Sequence, residues 1–101
     1  MMNSEHEVLD TVEAEKVFIE AVEKNPDVLG VWKFYRDDSI DLWAVVEGDL
    51  YQAERAVAAA ATTLLKSYPN ISFDFMVVPL AGRQLDEIIS SEGIAIYQRC
   101  E

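Results

Sequence analysis

Two carboxylates inside apolar, strand-like segments are the side chains with the clearest capacity for chemistry. Asp41 lies in SIDLWAVVE and Asp74 lies in ISFDFMVV. If these segments form neighbouring parallel strands, both acids point into one shallow cleft. Carboxylates a few ångströms apart can bridge magnesium ions for phosphoryl transfer. Strands also commonly place an Asp on their solvent-facing side, so the spacing alone leaves both interpretations open.

The two basic side chains that most closely precede Asp41 in the chain are Lys33 and Arg36. In a hairpin whose only loop residues are the acidic pair at 37–38, Arg36 pairs with Ser39 and becomes a diagonal neighbour of Asp41. Arg36 is then either a phosphate clamp or the partner that neutralises a leftover acid. Lys33 is a second candidate for either a phosphate contact or an ion pair.

Periodicity predicts the elements that carry these residues. One helix shows an apolar face at i, i+3, i+4, i+7 and i+8, formed by Ala14, Val17, Phe18, Ala21 and Val22. A second helix begins at an N-cap, Asp49, with Gln52 as its reciprocal partner. A short third helix is expected to end at Gly93. The order is helix, strand, strand, helix, strand, helix, strand.

This order predicts an α/β (α+β) domain covering residues 1–101, with a mixed β-sheet and helices mainly on one face. The strand-helix-strand unit should form a crossover between parallel strands. The hairpin register places an apolar row on the core face, formed by Ile40, Leu42, Ala44 and Val46. A ferredoxin-like domain is an alternative that strand order can test.

Three aromatic residues share the face of Asp41 in this register. Trp32, Phe34 and Trp43 are either packed interior or an exposed patch for a partner, and their charged neighbours favour an interface.

Composition limits the partners. With 8 basic and 19 acidic residues, the formal charge is −11, which disfavours nucleic acid and anionic membrane surfaces and favours a basic protein partner or solubility. We expect no membrane span, no disulfide from the lone Cys100 and no metal site at His6. The expected compartment is the cytoplasm.

The segments DDSIDLWAVVE, ISFDFMVVPL and IISSEGIAIYQR resemble the minimal nucleotidyltransferase family, which has the DNA polymerase β-like fold. The resemblance implies metal-binding acids at Asp41 and Asp74. The sequence departs from the family where the first acid of its Asp-x-Asp pattern falls on Ser39, a neutral and weaker ligand. The family's Gly-Ser turn, which presents backbone amides to the triphosphate, is also missing.

These departures lead to two hypotheses. The first is a non-catalytic nucleotidyltransferase-fold protein that needs no cofactor and acts by binding a protein or by self-association. Because the resembled family is commonly paired with HEPN-type helical partners, the role would be antitoxin-like. The alternative is a small magnesium-dependent nucleotidyltransferase that uses Asp41 and Asp74.

Overall fold

The computed structural model describes residues 3–99, with side chains described from residue 11. It has the predicted element order, and the bounds of its helices and strands are α1 Asn3–Val22, β1 Val28–Tyr35, β2 Ile40–Val46, α2 Leu50–Ser67, β3 Phe73–Pro79, α3 Leu85–Ile88 and β4 Ile94–Gln98. The side chain of His6 and all of Cys100 lie outside the described residues.

The four strands form one mixed sheet in the order β3-β2-β1-β4. β1 pairs antiparallel with both β2 and β4, while β2 and β3 are parallel neighbours joined through α2. The α+β class with a mixed sheet is therefore confirmed. A ferredoxin-like sheet is excluded, because its βαβ units are split by an intervening strand whereas β2 and β3 pair directly.

The main core lies between the sheet and the two long helices. Its buried members include Ala14, Phe18 and Val22 from α1, Leu42 and Ala44 from β2, and Val57 and Leu64 from α2. The predicted apolar faces of α1 and β2 therefore point where expected. Alternation along the strands sends the intervening residues to the opposite face of the sheet.

A second, smaller core lies on that opposite face. Leu80, Leu85 and Ile89, in and around α3, pack against Trp32, Phe34 and Val45. The long helices are on one face, as predicted, and the short α3 covers part of the other.

Local signals that end or begin elements are partly confirmed. The Asp49 side chain accepts a hydrogen bond of 3.1 Å from the Gln52 backbone N–H, as expected for an N-cap. The prediction for Gly93 is wrong, because α3 already ends at Ile88 and Gly93 does not have a positive φ. Glycine is needed there for space, since a Cβ would lie 2.8 Å from the Phe34 ring.

Candidate functional site

The two carboxylates of the sequence prediction lie side by side in the sheet. Asp41 in β2 and Asp74 in β3 are register partners across the parallel pair, so their side chains leave the same face. That face is the one opposite α1 and α2. The central geometric expectation, two acids on one surface of the sheet, agrees with the structure.

Each of these acids already has a partner in the connection between β1 and β2, residues 36–39. Arg36 Nε donates to Asp41 Oδ2 at 2.7 Å, and Ser39 Oγ donates to Asp74 Oδ2 at 3.3 Å. The hydrogen bond to Asp41 raises the pKa of the Arg36 guanidinium above its ordinary value. The arrangement fits the interpretation of Arg36 as the neutralising partner of Asp41.

The connection between β1 and β2 is a tight turn with two exposed residues, Asp37 and Asp38. Its ends are closed by a 2.8 Å hydrogen bond from the Arg36 backbone N–H to the Ser39 carbonyl oxygen. The pairing predicted from the sequence is therefore correct, and neither aspartate has a positive φ. A turn this short leaves no row of backbone amides that could surround a polyphosphate.

Lys33 lies on the other side of the sheet from the two acids. Its Nζ forms a 2.8 Å salt bridge with Glu15 of α1, and the two side chains are only 11% and 9% exposed. Of the two roles that the sequence left open for Lys33, the structure shows the ion pair, and it places Lys33 on the face opposite Asp41 and Asp74, away from a phosphate held there. Burial lowers the pKa of Lys33, but hydrogen bonds with Glu15 and Tyr35 outweigh this, so its pKa lies above 10.5.

The three aromatic residues predicted as an interface are mostly interior. Trp32 is 6% exposed and Phe34 is 3% exposed, because the segment around α3 packs over them. Trp43 is half-buried, with its ring centroid 4.6 Å from that of Phe34. The packed-interior alternative therefore describes Trp32 and Phe34, and only Trp43 borders an open surface.

An exposed methionine beside the acids was missed by the sequence prediction. Met76 is 48% exposed and is the register partner of Trp43, two positions beyond the Asp41–Asp74 pair on the same face of the sheet. Alternation along ISFDFMVV already places Met76 on the face of Asp74, so the signal was present in the sequence. We call the surface formed by Asp41, Trp43, Asp74 and Met76 the acid–methionine patch.

A shallow depression of about 280 Å³ lies at the other end of the same two strands. It is lined by Val46, Glu47, Gly48, Leu50, Pro79 and Ala81. The lining contains an acid and no basic side chain, which does not suit a phosphate group. Among the described residues, no three acidic, histidine or cysteine side chains stand close enough to share a metal ion.

Comparisons with known proteins give no family for this chain. No protein-family model and no curated protein match it. A solved structure of a MamM CTD variant, zinc form 2, matches over 84% of this chain and 96% of its own, with 19% identity and a TM-score of 0.42. A similarity this low carries no argument. Within residues 3–99, no helix has both the length and the apolar character to cross a membrane.

Proposed function

We propose that this chain is a non-catalytic domain of nucleotidyltransferase-like design that acts by binding another protein. The observation that carries the proposal is that both carboxylates already accept hydrogen bonds from neighbouring side chains. Arg36 holds Asp41 at 2.7 Å, and Ser39 stands where the resembled family has an acid and bonds to Asp74 instead. A magnesium ion would have to displace both contacts with only two carboxylates to attract it.

The tight turn at Asp37–Asp38 supports the same proposal. Nucleotidyl transfer depends on positioning the polyphosphate as well as on the metal ions. Two acidic residues fill the position of the missing glycine-rich turn and would repel a triphosphate. A protein partner, in contrast, requires only an accessible surface.

The charge of the chain indicates the kind of partner. A formal charge of −11 attracts a basic protein and accelerates its association. Together with the resemblance to minimal nucleotidyltransferases, this favours an antitoxin-like role toward a basic HEPN-type protein. We therefore propose an antitoxin-like role for this chain, acting in the cytoplasm.

Co-purification of the affinity-tagged chain from its native host tests the proposal. The expected result is a stoichiometric complex that survives gel filtration, with the partner identified by mass spectrometry. The Glu54→Lys variant, which changes an exposed acid on α2, serves as a control for charge alone. A chain that stays monomeric and without a partner at micromolar concentration contradicts the proposal.

The alternative is a magnesium-dependent nucleotidyltransferase, and one observation favours it. Asp41 and Asp74 are direct register partners, which is the placement that a shared metal ion needs. Isothermal titration calorimetry with ATP or GTP plus magnesium tests this alternative, with Asp41→Asn as the control. Heat of binding that disappears in the variant would support it, and no binding at millimolar nucleotide would retire it.

A further inference from the structure

Strand β3 forms one edge of the sheet, and its outer side has backbone groups available for pairing. Ser72 accepts from the Ile40 N–H and Leu80 donates to Val46, so the even-numbered positions of β3 face β2. The N–H and C=O groups of Phe73, Phe75 and Val77 consequently point away from the sheet. No other strand of residues 3–99 pairs with this side of β3.

The natural protections of an edge strand are weak along this stretch. Edge strands usually carry lysines, bulges or prolines that prevent pairing with another chain. β3 has no lysine, and Pro79 stands only at its last position. The strand is seven residues long, and its parallel register with β2 runs without a bulge. The edge is therefore an open template for a further strand.

The side chains on the open face of this edge define what the further strand should carry. Asp74 is exposed and Met76 is 48% exposed, two positions apart on the same face. A residue added beside Asp74 meets a carboxylate, and the residue two positions along meets an apolar thioether. The complementary pattern is a basic residue, any residue, then an apolar residue.

The opposite edge of the sheet lacks this selectivity. β4 is five residues long and its sequence, IAIYQ, has no charged side chain, although Ile94 is exposed. A strand added there would not be chosen by charge. A second copy of this chain is a poor occupant of either edge, since both copies carry a formal charge of −11.

We propose that β3 accepts an extended, basic segment of a partner protein as a fifth strand, with an Arg or Lys beside Asp74 and an apolar side chain on Met76. This inference rests on the proposed protein-binding function and specifies its contact surface. Backbone hydrogen bonds to Phe73, Phe75 and Val77 supply affinity, and the acid–methionine patch supplies specificity.

Peptide probes test this inference directly. The basic probe is an acetylated, amidated peptide, Arg-Thr-Val-Thr-Arg-Thr-Val-Thr, and its control has glutamate in place of both arginines. We expect binding of the basic probe alone, together with slower amide hydrogen exchange at Phe73, Phe75 and Val77 measured by NMR. Asp74→Lys and Met76→Lys should each weaken binding about fivefold, as expected for reversing one favourable cross-strand pair.

Matched measurements exclude effects of folding and of overall charge. Thermal unfolding followed by circular dichroism should give the same curve for the variants and the original chain within experimental error. If a variant unfolds earlier, the dissociation constants are compared at a lower temperature where every chain is folded. Glu54→Lys makes the same charge change as Asp74→Lys on the far side of the molecule and should leave binding nearly unchanged. Equal weakening by the two variants overturns the inference.

Three other results also overturn it. The first is that the basic probe does not bind at about 1 mM, a typical limit for weak association. The second is that the acidic control binds equally well. The third is that the probe slows amide hydrogen exchange at Ile94–Gln98 instead of in β3. Capture of the host partner separates the two proposals. If the Asp74→Lys variant captures that partner as well as the original chain does, the strand addition is wrong and the protein-binding function stands.

Discussion

The buried pair between Glu15 and Lys33 allows a stability prediction with a defined sign and size. The two side chains meet at 2.8 Å between α1 and β1 and are about nine-tenths buried. Glu15→Leu leaves the Lys33 ammonium without its main partner in a poorly solvated place. Breaking such a pair from one side costs about 3 kcal/mol, whereas replacing both partners with apolar residues is close to neutral.

The magnitude translates into a measurable change in urea unfolding. With a slope near 1.5 kcal/mol per molar urea for a chain of this size, a loss of about 3 kcal/mol lowers the midpoint by about 2 M. Fluorescence of Trp32, which is buried beneath α3, reports unfolding. The double variant Glu15→Leu/Lys33→Met should recover most of the lost stability.

The control for this cycle is Glu54→Leu, an equivalent change at an exposed acid on α2. Its midpoint should move by no more than a few tenths of a molar, as expected for an exposed site distant from special features, about ±0.5 kcal/mol. A Glu15→Leu variant that is as stable as this control would refute the reasoning. So would a double variant no more stable than Glu15→Leu alone, because the two residues would then not be coupled.

Further predictions concern pH, packing and capping. Because the pKa of Lys33 is raised in the folded chain, the stabilising contribution of this residue is present below pH 10.5 and is lost as the pH rises through its folded pKa. Over that pH range, the urea midpoint should fall more steeply in the original chain than in the Glu15→Leu/Lys33→Met variant. Gly93→Ala should cost about 1–3 kcal/mol by thermal unfolding, since its Cβ would lie 2.8 Å from Phe34, and Phe34→Leu in the same chain should reduce that cost. Asp49→Ala should cost about 1 kcal/mol through the lost N-cap of α2, while Glu54→Ala, within the same helix, should cost much less, and equal costs would contradict the assigned cap.

Much of the fold could be predicted because its signals are local. The apolar period of α1, the N-cap at Asp49 and the alternation in β2 each depend on residues close together in sequence. The two-residue turn then determined the hairpin register, including the Trp32–Trp43 and Phe34–Asp41 pairs. Parallel pairing of Asp41 with Asp74 followed from the short crossover through α2.

The errors in the site arose where a face was covered by a distant part of the chain. Trp32 and Phe34 alternate with core residues, and only the position of α3 decides whether their face is open. No residue near Trp32 and Phe34 in the sequence indicates that α3 packs over them. Gly93 was assigned a helix-ending role, when its actual constraint is contact with Phe34, far away in sequence.

Glu15 was missed as the ion-pair partner of Lys33, although periodicity contained the signal. Glu15, Phe18 and Val22 follow i, i+3 and i+7 spacing, so Glu15 belongs to the apolar stripe of α1. Lys33 alternates with Val31 and stands opposite Leu42, a core residue. An acid in the apolar stripe of α1 and a base at a core-facing position of β1 indicate an ion pair, because a buried charge requires a partner.

The sheet order has a consequence for how the molecule assembles. The two strands that are closest in sequence, joined by the four residues 36–39, occupy the middle of the sheet, and later segments of the chain add to it on either side. Short loops close at little entropic cost, so the central hairpin is suited to form early and to offer its two free flanks as templates. The last strands to be synthesised then become the outermost ones. The sheet would then form from its central hairpin outward, and β3, the strand proposed to bind a partner, would be added only after that hairpin has formed.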